Sequence, residues 1–191
     1  MLNSKSQLSI EYMILTGFVL LIIIVPSVVF LYSMTNKGVY GSINAQKANE
    51  LGNGLVNNAQ QVYYLGIYSK KIVAYDVPEN VEKIFIMDMS MGSKNYSYVG
   101  IIINDRKEVL RMFFPSNVPL IADHPDLVDP DDADGSTKAY VPECNEPDAK
   151  CKFYNFKGYV LKPGKKEFKI ETKYVPLTSE AKVFINPVDN T

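Results

Sequence analysis

The segment Tyr12 to Tyr32 runs for 21 residues with no ionisable side chain other than its two tyrosines. At ~1.5 Å per helical residue it reaches about 31 Å, the thickness of a bilayer's hydrocarbon core. A secretory signal peptide has a shorter apolar stretch, of roughly 7–15 residues. The residues that follow, Ser33-Met34-Thr35-Asn36, lack the Ala-x-Ala type of cleavage site. The segment is therefore expected to be retained as a membrane-crossing helix. Lys5 precedes it and no basic cluster follows it, which suggests a start inside the cell and a bulk outside. Pro26 lies within the run, removes a backbone donor and predicts a kink or local break.

Glu11 sits at the very edge of this run. A carboxylate at mid-membrane costs on the order of 2.5–3.5 kcal/mol on insertion scales, and less near the interface. Taken alone, Glu11 is accommodated by staying among the headgroups. Its neighbours add a pattern: Lys5-Ser6, then Gln7-Leu8-Ser9-Ile10-Glu11-Tyr12, then Met13 and the apolar helix. This order resembles the class III signal peptide of archaeal type IV pilins, whose motif is Gln-x-Ser-x-Glu-Tyr. The likeness covers about the first thirty residues and is specific in order, spacing and position relative to the apolar run.

The resemblance implies a leader, residues 1–6, removed by an aspartyl prepilin peptidase between Ser6 and Gln7. It assigns Glu11 to the family's acidic position, fifth after the cut, with a role in assembly. It further implies an assembly ATPase and membrane platform as partners, other pilin subunits as neighbours, a membrane-bound precursor, and a mature filament at the cell surface. The physical logic is coherent. An apolar helix dissolves in the membrane as a monomer and buries the same surface against its copies in a bundle. Each copy brings its new N-terminus into a dry core, where a neighbour's Glu11 can neutralise the ammonium. An N-terminal Gln can also cyclise to a neutral lactam, which removes that charge.

Beyond the anchor the period changes. Ala48, Leu51, Leu55, Ala59 and Val62 recur at intervals of three or four, with Asn and Gln on the other face. One long helix over residues 7–65 is expected, apolar over 12–32, bent near Pro26, weakened near Gly38 and amphipathic over 39–65. Gly52 and Gly54 count against its continuity. Residues 66–191 are expected to form an extracellular β-rich head. Strands are predicted at 71–75, 83–87, 98–103, 109–113, 153–161, 167–174 and 182–185. Asn104-Asp105-Arg106-Lys107 and Lys162-Pro163-Gly164-Lys165 read as turns. The predicted class is α+β: a helical stalk followed by an all-β, sandwich-like head.

The formal net charge of −1 gives no global signal for nucleic acid. It conceals two opposed stretches. From Asp123 to Asp148 there are nine acidic side chains and one Lys, and from Lys150 to Lys173 there are eight Lys and two Glu. These are either two solvated faces of one domain or an acidic loop of one copy meeting the basic strands of the next. The acidic stretch carries Asp129, Asp131, Asp132 and Asp134, oxygen ligands of the kind Ca²⁺ takes. Ala133 and Pro130 break the EF-hand register, so a solvated acidic loop is the competing reading.

Cys144 and Cys151 are the only cysteines. Outside the cell they are expected to pair, closing a short loop worth roughly 2–3 kcal/mol. Free thiols are the alternative, and the pair lacks the Cys-x-x-Cys spacing of a metal site. Asn95-Tyr96-Ser97 is an N-glycosylation acceptor, with Asn95 as the modified residue.

A single histidine leaves little room for triad or His-rich metal chemistry, and no phosphate loop or nucleophile elbow is present. The chain is therefore expected not to be an enzyme and to need no cofactor beyond possible Ca²⁺ at the acidic loop. Two functions fit: a filament subunit displaying its head for adhesion, or a singly anchored extracellular β-domain that binds a ligand or cation without polymerising. The Gln-x-Ser-x-Glu-Tyr motif separates them, because a simple anchor does not need it.

Overall fold

The computed structural model describes residues 4–34, 40–91, 94–105, 108–124, 126, 128–129, 137, 141, 144, 149–176 and 180–188. The chain divides into two compact units, Met1–Ile43 and Asn44–Thr191. Helix α1 spans Ser4–Met34, and helix α2 spans Tyr40–Tyr64. The single helix expected over 7–65 is thus resolved as two. Gly38 lies between them, outside the described residues.

In the second unit the part of α2 from Asn44 onward is joined, among the described residues, by nine strands, giving an α+β fold. They are β1 (Lys70–Val77), β2 (Val81–Met91), β3 (Lys94–Asp105), β4 (Glu108–Ser116), β5 (Leu120–Ile121), β6 (Val128–Asp129), β7 (Ala149–Phe156), β8 (Gly164–Val175) and β9 (Glu180–Pro187). One sheet has the order β1-β8-β9-β5 and the other β4-β3-β2-β7-β6. All pairings are antiparallel except β5 with β9.

The five residues at helical spacing on α2, Ala48, Leu51, Leu55, Ala59 and Val62, are all at 1% exposure or less. They join Ile84 and Ile86 of β2, Val99, Ile101 and Ile103 of β3, Phe168 and Ile170 of β8, and Val183 and Ile185 of β9 in one core. The helix is therefore a structural layer of the head, and the two sheets do not make the core by themselves.

Gly52 and Gly54 do not break α2; they let aromatic rings seat on it. A Cβ at Gly52 would lie 2.2 Å from the Phe114 ring, and one at Gly54 would lie 2.4 Å from the Tyr75 ring. Asn58 holds Tyr75 there, its amide donating to the Tyr75 hydroxyl at 2.6 Å and to the Gly54 carbonyl at 2.8 Å. The helix stops at Gly66, whose φ of 99° suits a glycine that ends a helix and few other residues.

The central strands of the five-stranded sheet are buried on both faces, which is why Ile84-Phe85-Ile86-Met87 reads as a continuous apolar run. The second face has its own core of Phe85, Met87, Met89, Ile102 and Phe153, beneath Val141 and Cys144. Phe85 meets Phe113 and Phe153 edge-on, with ring centres 6.2 and 5.8 Å apart. The Thr137 hydroxyl lies 3.0 Å from the Asn155 amide oxygen and receives a bond from Lys83. A disulfide joins Cys144 to Cys151. Reduction is expected to lower the melting temperature by roughly 4–12 °C, from ~2–3 kcal/mol of stabilisation. Thermal melts with and without reductant measure it. Two thiols that alkylate in the native protein would contradict it.

The predicted strand 153–161 is shorter than expected. β7 ends at Phe156, and Gly158–Leu161 form a 3-10 turn that buries Val160. The Lys162–Lys165 turn then crosses between sheets, because β7 and β8 belong to different ones. β5 and β6, two residues each, were not anticipated from the sequence.

Candidate functional site

The stretch Tyr12–Phe30 of α1 is 19 residues long, apolar enough to cross a membrane, and wholly unburied. Its two aliphatic hydroxyls turn back on the helix: Thr16 donates to the Tyr12 carbonyl and Ser27 to the Ile23 carbonyl, each at 2.7 Å. Such back-bonding satisfies a hydroxyl without water. Side chains from all sides of the helix are exposed, including Met13, Leu15, Phe18, Leu21, Ile22 and Val25. A helix apolar all round needs a lipid or protein environment. Ser6, Gln7 and Glu11 all have helical backbone within α1, which places the expected cleavage pair and the acidic residue on the same continuous helix as the apolar stretch.

In the head, Asp129 is an exposed residue of β6, while Asp131, Asp132 and Asp134 lie outside the described residues. Among the described residues no three His, Cys, Asp or Glu side chains converge on a possible metal position.

One residue of each charge stretch, Asp123 and Lys173, comes together on the outer face of the four-stranded sheet. Glu171 bonds Lys169 at 2.8 Å and Lys173 at 2.6 Å, and Lys173 reaches Asp123 at 3.9 Å. Asn186 donates to Asp123 at 2.5 Å, and Lys173 lies over the Phe184 ring at 4.7 Å from its centre. Burial pushes the Glu171 carboxyl up, but hydrogen bonds from Lys169 and Lys173 outweigh it and hold that carboxyl below its usual value. The bond Lys173 donates to Glu171 raises the Lys173 ammonium, against the opposing effect of burial and with help from Asp123.

A carboxyl depressed on folding contributes stability that is present above its unfolded pKa of about 4.3 and is lost as pH falls through the lower folded value. Melts from neutral pH to below pH 4 should therefore show an acid loss that Glu171→Gln reduces. An identical acid slope in the variant would show that the triad carries no linkage.

At one end of the head, a cleft of about 620 Å³ is lined by Tyr63, Asn95, Tyr96, Ser97, Ser116, Asn117, Val118, Pro119, Glu180 and Ala181. It brings α2, β3, β4 and β9 together at one place. Sequence reasoning singled out only its acceptor tripeptide. Asn95 is exposed and its amide oxygen accepts from Ser90 at 2.8 Å. Ser97 is 4% exposed, and its hydroxyl accepts from the Leu120 amide at 3.2 Å. The available signal was a change of chemistry along one face of a strand pair, from Ile84 and Ile86 to Asp88 and Ser90 on β2, and from Ile101 and Val99 to Ser97 and Asn95 on β3.

Compared with protein-family models, with curated proteins and with solved structures, the chain matches none.

Proposed function

We propose that this chain is a structural subunit of an archaeal type IV pilus-like surface filament. In this reading a prepilin peptidase cuts between Ser6 and Gln7, and an assembly ATPase and membrane platform lift the subunit from the membrane into a homopolymer. The observation that carries the reading is α1 itself. Its stretch from Tyr12 to Phe30 is unburied, its Thr16 and Ser27 hydroxyls are satisfied internally, and it follows directly on Gln7-Leu8-Ser9-Ile10-Glu11.

A helix of that kind suits two apolar environments in succession, the bilayer before assembly and a bundle of its own copies after it. The head, with a core and a disulfide of its own, is the part displayed for adhesion. The test is to shear filaments from cells that make this protein and identify their subunits by peptide sequencing. Peptides of the head are expected as a repeating component of the filaments. Recovery of the protein only from detergent-extracted membranes would favour a singly anchored surface domain.

A further inference from the structure

A sheet edge leaves backbone donors and acceptors without partners, and folds usually blunt it. Among the described residues the two sheets end on β1 and β5, and on β4 and β6. β5 and β6 are two residues long, and β4 carries Pro115, which has no N–H to offer. β1 is different. It spans eight residues without proline and keeps an unbroken register against β8, from Lys70 opposite Glu171 to Val77 opposite Gly164.

The direction of its backbone groups follows from its neighbours. The Thr172 amide of β8 donates to the Ser69 carbonyl at 2.9 Å, while the Glu167 carbonyl accepts from Val188 on the β9 side. Even-numbered residues of β8 thus turn to β1 and odd-numbered ones to β9. Backbone groups alternate along a strand, so Lys71, Val73 and Tyr75 bond toward β8, and Lys70, Ile72, Ala74 and Asp76 present theirs to the open side. The side chains alternate in step. Val73 and Tyr75 pack on the main core, and the Lys71 ammonium donates to Gln61 of α2 at 2.8 Å. Lys70, Ile72, Ala74 and Asp76 are exposed on the outer face, Ile72 at 61%.

This edge is self-complementary. Taken antiparallel about Val73, Lys70 falls opposite Asp76, and Ile72 opposite Ala74. Those four are the residues whose backbone groups face outward, so the charge register and the hydrogen-bond register coincide. Moving the centre by one residue keeps the backbone bonds but sets Lys70 against Ala74 or Ile72 against Asp76.

We infer that β1 docks on β1 of a second copy of this chain, antiparallel about Val73, and that the two four-stranded sheets run on as one of eight strands. The row across the four central strands then reads Glu171, Lys70, Asp76 of the second copy and Lys165 of the second copy, with charge alternating throughout. The two Ile72 side chains lie diagonally across the seam and lose water there. A lysine on an edge ordinarily keeps other strands off. Here it admits the strand that offers a carboxylate in register.

The contact is two-fold, so it closes at two copies and does not extend a polymer. It uses the head alone, and so stands whether the chain polymerises through α1 or is singly anchored. A seam of one strand pair is small beside the ~1,200 Å² of a stable interface, so pairing is weak between single chains and strong between arrayed ones.

Full-length chains in detergent micelles test this. Lys70→Cys chains are mixed with Asp76→Cys chains and oxidised, the native cysteines being paired with each other. The mixed disulfide is expected, because opposed residues of the seam have Cα atoms about 5.5 Å apart. Lys70→Cys should not couple to itself, nor Asp76→Cys, since those positions lie about 20 Å apart along the seam. In sedimentation, Lys70→Asp should weaken dimerisation about tenfold, because two attractions become two repulsions. Adding Asp76→Lys to it should restore dimerisation. Self-coupling as fast as mixed coupling would overturn the inference. So would association that Lys70→Asp leaves unchanged, which would belong to α1, shared by every variant. A double variant that melts normally yet stays dissociated would overturn it too, as would an unrelated extended peptide that binds β1 in preference to a second copy. None of these outcomes bears on the filament reading, which the sheared filaments decide.

Discussion

Glu11→Ala is expected to leave cleavage and membrane insertion intact and to reduce filament yield severely. Glu11 is the only charged side chain between Gln7 and Asn36. In a membrane monomer its carboxylate reaches the headgroups, so insertion does not depend on it. In the proposed filament it would be carried into an apolar core, tolerable only beside a partner. The proposed partner is the α-amino group of Gln7 on a neighbouring subunit, created by the cut. Removing one member of a buried ion pair costs roughly 3–5 kcal/mol, on the order of a hundredfold or more in an assembly equilibrium. In the proposed scheme an uncut precursor presents no amine at that depth, which would couple processing to assembly. Glu11→Gln separates the contributions: it should be nearly as damaging if charge pairing matters, and mild if the N-terminus is a neutral lactam. Counting filaments per cell, alongside immunoblots for precursor and mature protein, measures both steps. Normal filaments from Glu11→Ala cells would remove Glu11 from assembly.

Gly52→Ala should destabilise the head, against the ordinary trend. In an open helix interior this change stabilises by roughly 0.5–1 kcal/mol. Here the new methyl would lie 2.2 Å from Phe114 ring carbons, and Phe114 is 6% exposed and packed in the main core. Overpacking of this kind costs roughly 1–3 kcal/mol. A net loss of about 2 kcal/mol corresponds to roughly 4–8 °C in melting temperature. Gly54→Ala should cost less, because Tyr75 lies on the edge strand β1 and is only partly buried. Phe114→Leu should partly rescue Gly52→Ala and not Gly54→Ala. A higher melting temperature for Gly52→Ala would mean that Phe114 does not seat on the helix there.

The same glycines show where reading the sequence stops. The spacing of Ala48, Leu51, Leu55, Ala59 and Val62 was enough to predict a buried helix face, because helical periodicity is a local property. What Gly52 and Gly54 are for depends on rings more than sixty and more than twenty residues away respectively, so locally they look only like weak helix formers. Apolar runs on β2, β3 and β4 and the alternation on β8 were legible for the same local reason. β5 and β6 were not, because two-residue strands exist only through their partners β9 and β7. The turn at Pro163-Gly164 was visible as a turn, yet whether it closes a hairpin or crosses between sheets is decided by packing.

The candidate site divides in the same way. Glu11 and the proposed cleavage pair, Ser6 and Gln7, form a contiguous pattern beside an apolar run, readable without tertiary structure. The cleft assembles Tyr63, Asn95, Asn117 and Glu180 from four separated places in the chain, so only its acceptor tripeptide could be noticed beforehand. The opposed charge stretches were visible as composition. That Asp123 and Lys173, at the start of one and the end of the other, lie 3.9 Å apart within one chain was not.

The measurement that bears most directly on the filament reading is the mass of the N-terminal peptide from assembled surface filaments. The expected result is a mature chain that begins at Gln7, with either a free amine or a cyclised lactam, and no trace of Met1 to Ser6. Filaments whose subunits retain Met1 to Ser6 would contradict it.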